Sequence, residues 1–194
     1  MATANKVHFG LKNVHYAMLT VSTAGVPSWG APKAVPGAVS LTLDRDVAKT
    51  VFHADDIKYF TVSVNNGFTG TLEMADIPVT MRQDLWGDTV TTTSKMLVED
   101  VDTQPNEFAL MFEINGDQTP ERNCLYRCVA SRPNIEASTV EDTIEVKTQS
   151  CELEVMPVSY AGNALDGVVR YRTTADTPSA TYTSFYSSVL TTLT

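Results

Sequence analysis

The sequence feature that most constrains the fold of this chain is a period-two alternation of apolar and polar residues. Val39, Leu41 and Leu43 alternate with Ser40 and Thr42. A strand with this pattern has one apolar face and one polar face, as a half-buried position in a sheet requires. Further strand-like runs occupy residues 60–64, 68–74, 108–114, 124–130, 143–147, 151–156 and 168–172. The sequence therefore predicts a mainly β fold.

Two turn signals separate neighbouring runs. Asn65-Asn66-Gly67 supplies residues that tolerate positive φ, which predicts a tight antiparallel hairpin joining 60–64 to 68–74. Asn115-Gly116 follows the run at 108–114, but the distance to the next run and the intervening Pro120 exceed a two-residue turn. The second connection is predicted to be a hairpin with an extended loop.

Two segments break the β pattern, at 76–86 and at about 178–190. In the first, Asp76 is placed to cap a helix, Pro78 suits the first turn, and Gly87 follows the end. In the second, residues with apolar side chains recur at helical spacing: Tyr182, Phe185, Tyr186, Val189 and Leu190. No linker, repeat or low-complexity tract divides the chain, so we expect a single domain over 1–194 with two short helices.

A proline- and glycine-rich segment lies at about 22–38. Residues 26–37 hold three prolines, two glycines and Trp29. This composition argues against a central strand or a helix interior and predicts an extended arm or loop. An exposed tryptophan is costly unless something covers it. Two interpretations follow: Trp29 and Pro32 contact a neighbouring subunit, or the indole folds over its own sheet.

Charge and cysteine content limit the classes of function that this chain can have. The formal net charge of −9 argues against tight nucleic-acid binding, which needs clustered Lys and Arg. The N-terminus has no apolar core of signal-peptide length, and no apolar run approaches a membrane span. Cys124, Cys128 and Cys151 are an odd number, so we expect buried, reduced thiols in a protein of the cytosol.

The sequence contains no recognisable catalytic or cofactor motif. It lacks a nucleophile elbow, a phosphate loop, a Rossmann glycine pattern and a zinc-protease helix. Cys124 and Cys128 lie four apart on a predicted strand, but no second pair has zinc-site spacing. Glu152 and Glu154 share one strand face, for which an acidic sheet surface is the simpler interpretation. We therefore predict no catalytic, cofactor-binding or metal-binding residues, and no enzyme.

Several blocks together resemble one known family. They are, in order, KVHFGLKNVHYAML, VPGAVSLTLD, NNGFTGTLEMADIPVTMRQDLWG, FALMFEINGD, NCLYRCVASRP and DTPSATYTSFYSSVL. These blocks span most of the chain, and their order and content resemble the phi13-like family of siphophage major tail proteins. The block from Asn65 to Gly87 carries most of this resemblance.

The resemblance implies a tail tube domain of the β-sandwich or barrel type, made in the host cytoplasm and located in the virion. Copies would form stacked, six-fold rings around a tape measure protein and would contact tail terminator and distal tail proteins, without a membrane partner. The finished tube would conduct the genome. An acidic lumen would let DNA pass without adsorbing, and Glu145, Glu152 and Glu154 are the candidates for it. The alternative is a secreted or surface β-sandwich that binds carbohydrate, which would be expected to carry an export signal.

Overall fold

The computed structural model describes residues 5–137, 139, 147–160 and 164–192. The strands within these ranges are β1 (His8–Val21), β2 (Pro27–Trp29), β3 (Lys33–Ala34), β4 (Ala38–Ala54), β5 (Ile57–Met74), β6 (Thr89–Val90), β7 (Leu97–Val98), β8 (Phe108–Gly116), β9 (Glu121–Ala130), β10 (Gln149–Met156) and β11 (Arg170–Arg172). The helices in the described part are α1 (Val79–Trp86) and α2 (Ser179–Thr183). The mainly β fold with two short helices is confirmed.

One antiparallel sheet organises the molecule. Its strands follow the order β2-β1-β8-β9-β10-β5-β4, with β3 also pairing to β1 and β11 to β9. The far ends of this path approach each other, because β1 also contacts β4. The sheet thus curls towards a barrel. A separate small ladder joins β6 to β7.

The sheet buries a core on each of its faces. The larger core fills the inside of the curl, and α1 closes it with Met81, Leu85 and Trp86, all fully buried. The second core lies on the outer face of β1, β8 and β9. The segment after β10 covers it with buried apolar side chains, which are Val158, Leu165, Phe185 and Val189. Burial on both faces explains why β8 reads as an almost continuous apolar run.

The tight turn lies in a different place from the one predicted. Strand β5 runs without a break through Asn65-Asn66-Gly67, and the chain reverses instead at Asp55 and Asp56. The pairing of Asp46 with Gly67 and of Val47 with Asn65 leaves Asn66 as an extra residue, a β-bulge. Gly67 has φ 125°, and a side chain there would collide with the Val155 carbonyl. The glycine signal therefore marked a bulge with close backbone approach rather than a hairpin end.

The later predictions hold in part. β8 and β9 form the expected hairpin with a longer loop, and β10 and β11 overlap the predicted runs. The predicted strand at 143–147 falls mostly on residues outside the described ranges. α1 starts at Val79 after Pro78, so Asp76 is not its cap, while Gly87 ends it in the left-handed conformation with φ 67°. α2 is shorter than predicted, because its chain passes into turns after Thr183.

The proline-rich segment at 22–38 is not a free arm. Pro27–Trp29 and Lys33–Ala34 are short strands that pair with β1. Proline is compatible with such a position, because an edge strand does not need every backbone N–H for its ladder. The segment is therefore a loop that carries two short edge strands, and the projecting element of this fold lies elsewhere.

A largely buried ion pair connects the C-terminal segment to the sheet. Arg122 Nε lies 2.9 Å from the Glu113 carboxylate, whose side chain is 7% exposed. The same guanidinium stacks 3.9 Å from the ring centroid of Tyr182 and donates to the Tyr182 carbonyl. One arginine thus joins two neighbouring strands to α2.

Replacing Arg122 with Met should lower the free energy of unfolding by about 3 kcal/mol, because it leaves the Glu113 charge buried without a partner. Urea unfolding followed by circular dichroism measures the loss. The double variant Arg122→Met with Glu113→Gln is the control and should recover part of the stability. If the single variant unfolds at the same urea concentration as the wild type, the pair does not fasten the segment.

Candidate subunit interface

The most unusual feature of the fold is a long two-stranded extension, residues 47–64, which we call the projecting hairpin. β4 has 17 residues and β5 has 18, whereas strands of about five or six residues are typical. β10 pairs with β5 only between 68 and 74, so among the described residues the part of β4 and β5 from Val47 to Asn65 forms strand pairs only within itself. At about 3.3 Å per residue, the eight residues from Val47 to Ala54 extend about 26 Å.

The turn at the tip follows from its sequence. Asp55 and Asp56 both have positive φ, at 52° and 59°. Two consecutive residues in this conformation form the type I′ turn that matches the twist of a two-residue hairpin, and aspartate tolerates it better than most residues. The tip therefore carries two exposed carboxylates, followed on β5 by exposed Ile57.

The two faces of the projecting hairpin differ in polarity. Residues directly opposite each other in an antiparallel ladder share a face. One face is formed by the pairs Ala48–Val64, Thr50–Val62 and Phe52–Phe60, and the other by Val47–Asn65, Lys49–Ser63 and Val51–Thr61. The first set, which we call the apolar face, has no polar side chain other than Thr50.

The apolar face is open to solvent. Phe52 and Phe60 are 59% and 60% exposed, and Val64 is 52% exposed. An isolated two-stranded ribbon gains little stability of its own, and contiguous exposed apolar surface of this kind marks a site where another molecule binds. The projecting hairpin is thus the candidate interface of the described part of the chain.

The sequence predicted that these residues form a strand, but it did not predict that their apolar side chains are exposed. The alternation of Phe60, Val62 and Val64 predicted a half-buried strand, and the ladder confirms that they share a face. The face is apolar, but the described part of the protomer does not cover it. The available signal was the Asp55-Asp56 pair between two alternating runs, which is a weaker turn signal than Asn66-Gly67.

The structure places the predicted interface residues against their own chain. Trp29 is half-buried, its Nε1 donates to the Tyr126 carbonyl at 2.9 Å, and its ring lies 5.4 Å from the Tyr126 ring. The indole therefore covers its own sheet, which was the second interpretation of the segment. Pro32 is half-buried in the connection between β2 and β3. A subunit contact through Trp29 and Pro32 stays a prediction.

The predicted lumen residues are only partly described. Glu152 and Glu154 are exposed on β10, where they lie opposite Thr71 and Thr69 of β5. They belong to a polar sheet face, as their spacing predicted. Glu145 lies outside the described residues. Whether these carboxylates face a lumen depends on assembly and stays a prediction.

The cysteines are buried, as predicted. Cys124 and Cys128 of β9 and Cys151 of β10 are free thiols with no more than 1% exposure. Burial raises the pKa of Cys124 to about 12 and that of Cys151 to about 11, and it also raises the pKa of Cys128. Thiolate is the reactive form of cysteine, so these side chains act as core residues rather than nucleophiles.

We expect none of the three thiols to react with an aromatic disulfide reagent at pH 8 in the native protein, and all three to react in denaturant. Absorbance of the released thiolate measures the number of reacting groups. Thr93→Cys, on an exposed turn, is the matched control and should react at once. Rapid reaction of a native cysteine at the rate of this control would contradict the burial.

The described residues show little that would support metal binding, membrane insertion through helices or carbohydrate binding. They contain no group of three or more His, Cys, Asp or Glu side chains arranged to hold a metal ion. None of the helices in the described ranges is long and apolar enough to cross a membrane. The exposed large aromatic side chains of the described residues are Phe9 on β1 and Phe52, Tyr59 and Phe60 on the projecting hairpin, whereas a carbohydrate-binding sandwich is expected to gather them on one concave face.

Comparison with known proteins gives a structural likeness. No family model matches the chain, and no curated protein matches it. Among solved structures, the chain is similar to a chain in the six-fold symmetrised cryo-EM structure of the anti-feeding prophage baseplate. The two are 15% identical, the match covers 79% of this chain and 93% of that chain, and the TM-score is 0.37.

Proposed function

We propose that this protein is a non-enzymatic structural subunit that self-assembles through its projecting hairpin. The observation that carries the proposal is the apolar face of residues 47–64, exposed on a two-stranded ribbon without a partner in the described part of the protomer. Full burial of one Phe or Val side chain is worth about 1.5–3 kcal/mol. A neighbouring subunit that covers Phe52, Phe60, Val62 and Val64 would gain several such contributions, which act against the cost of association.

The assembly that fits this subunit best is the tail tube of a siphophage. The ordered sequence blocks resemble the phi13-like major tail proteins, and a sheet with open edge strands suits closure between subunits. In this proposal, copies form stacked six-fold rings around a tape measure protein in the virion, and the tube later conducts the genome. Tail terminator and distal tail proteins would cap its two ends.

Sedimentation velocity over a hundredfold range of protein concentration tests self-assembly. The proposal expects a monomer at low concentration and a cooperative shift to large species above a critical concentration, because each new subunit would bury the apolar face of another. A single monomer peak over the whole range would contradict the proposal.

The proposed lumen predicts how the tube treats DNA. Glu152 and Glu154 would repel the DNA backbone within a Debye length of about 8–10 Å at moderate salt. Changing both to Lys should give tubes that assemble normally but retain duplex DNA in a co-sedimentation assay at low salt, with release as salt rises. Changing Asp102 and Asp176, which are exposed elsewhere, to Lys is the charge-matched control. Equal DNA retention by both variants would place Glu152 and Glu154 outside the lumen.

A further inference from the structure

An apolar groove opens where the two ends of the curled sheet meet. β1 and β4 contact each other there, but no ladder between them is found in the described residues. The cavity has a volume of about 440 Å³. Its lining is formed mainly by apolar side chains, namely Leu11, Leu41, Leu43, Phe68, Phe112 and Ile114.

Cationic side chains stand at the groove. Arg170 lines it, and its guanidinium lies 5.7 Å from the ring centroid of Phe68. Arg45 reaches the same ring from β4, at 5.0 Å. Burial and the neighbouring Arg172 and Arg45 lower the pKa of Arg170, although Glu121 acts in the opposite direction. The groove therefore combines an apolar lining with excess positive charge, and it would gain from an anionic partner.

The tip of the projecting hairpin has the complementary chemistry. It presents the carboxylates of Asp55 and Asp56 together with the exposed apolar side chains of Ile57 and Phe52. Lys58 lies behind the tip, opposite His53. In a chain of net charge −9, random contacts between copies are repulsive on average, so a place where acidic and basic groups meet is favoured as the contact.

The hairpin cannot fill the groove of its own protomer. The groove lies beside its base, since Leu43 and Phe68 are at the groove and Asp46–Gly67 is the last pair before the bulge. The tip is about 26 Å away along paired strands. A tip-to-base contact can therefore form only between two copies, and it repeats from copy to copy in one direction, as an open or ring-closing assembly requires.

We infer that the acidic tip of the projecting hairpin, at Asp55 and Asp56, docks into the groove between β1 and β4 of a second copy, beside Arg170. This inference rests on the proposed self-assembly and specifies one of its contacts. In this contact the apolar face of the hairpin packs on the surface of the second copy, and the docked tip fixes the register between the two subunits.

The test is a cycle of charge variants measured by the critical concentration for assembly. Asp55→Asn with Asp56→Gly removes both tip charges and keeps the turn, because Asn-Gly is the preferred type I′ pair. Arg170→Glu reverses the groove charge. Each change alone should raise the critical concentration about tenfold. When the tip charges are removed from the Arg170→Glu variant, however, the critical concentration should fall below that of Arg170→Glu alone. The reason is that the introduced carboxylate no longer faces the carboxylates of Asp55 and Asp56.

This inversion of sign separates a specific contact from general charge effects. Neutralising Asp102 and Asp176 to Asn changes the net charge equally, and it should leave the critical concentration unchanged or slightly lower. Circular dichroism and thermal unfolding establish that each variant is folded. The docking is overturned if neutralising the tip leaves wild-type assembly unchanged or promotes it, or if the tip and groove effects simply add. Such results leave self-assembly standing, whereas a monomeric wild type removes the proposed function itself.

Discussion

Replacing residues 48–64 with an Asn-Gly turn should produce a folded monomer that no longer assembles. The new turn would close the Val47–Asn65 pair, which already exists in the ladder. The removed residues belong to neither buried core, so the thermal unfolding midpoint should change little. Losing the burial of even two large apolar side chains, about 3 kcal/mol or more per contact, raises the critical concentration by about a hundredfold or more. Sedimentation velocity over a hundredfold range of concentration should therefore show only the monomer.

A smaller change distinguishes the two faces of the hairpin. Phe52→Ser with Phe60→Ser removes a cross-strand pair from the apolar face, and Val51→Ser with Thr61→Ser changes the neighbouring pair on the other face. The first variant should assemble poorly and the second almost normally. If both variants assemble like the wild type, or if both fail equally, the apolar face is not the contact surface.

Trp86→Ala should destabilise the protomer by about 3–5 kcal/mol, the range found for large aromatic residues in cores. The indole is fully buried at the end of α1 and its Nε1 donates to the Ala130 carbonyl at 2.9 Å. Its removal opens a cavity between the helix and the inside of the sheet and leaves that carbonyl with one partner fewer. Urea unfolding monitored by circular dichroism measures the effect.

Trp86→Phe serves as the graded control for this prediction. It keeps most of the apolar volume but loses the hydrogen bond, so its cost should be well below that of alanine. Trp29, the other tryptophan, is only half-buried, and Trp29→Ala should cost less than Trp86→Ala. An equal cost at both positions would mean that α1 does not close the core as described.

Local patterns predicted the elements of this fold better than their connections. Alternation identified β4, β8, β9 and β10. Each of these strands packs at least one face against a core, so its apolar residues recur at every second position. The position of the tight turn was predicted wrongly, since Asn-Gly suits a bulge as well as a hairpin. Whether a bulge or a hairpin forms depends on the partner strands. The Val155 carbonyl of β10 lies against Gly67 in the fold, but the local sequence around Gly67 does not indicate this contact.

At the candidate interface, too, local sequence patterns predicted the strands but not their partners. Phe60, Val62 and Val64 have the pattern of a core-facing strand, and alternation cannot tell burial within a chain from burial between chains. The prolines near Trp29 excluded a central strand but not an edge strand, and the indole found a partner on β9 that lies 97 residues away. Such distant partners depend on tertiary topology, which single-sequence patterns do not encode.

Electron microscopy of negatively stained wild-type protein, above and below the critical concentration, tests the central claim most directly. The account predicts hollow rings or tubes of uniform diameter above it, dispersed particles below it, and dispersed particles at every concentration for the variant that lacks residues 48–64. Uniform single protomers at the highest concentration, or tubes that form equally well without the projecting hairpin, would contradict it.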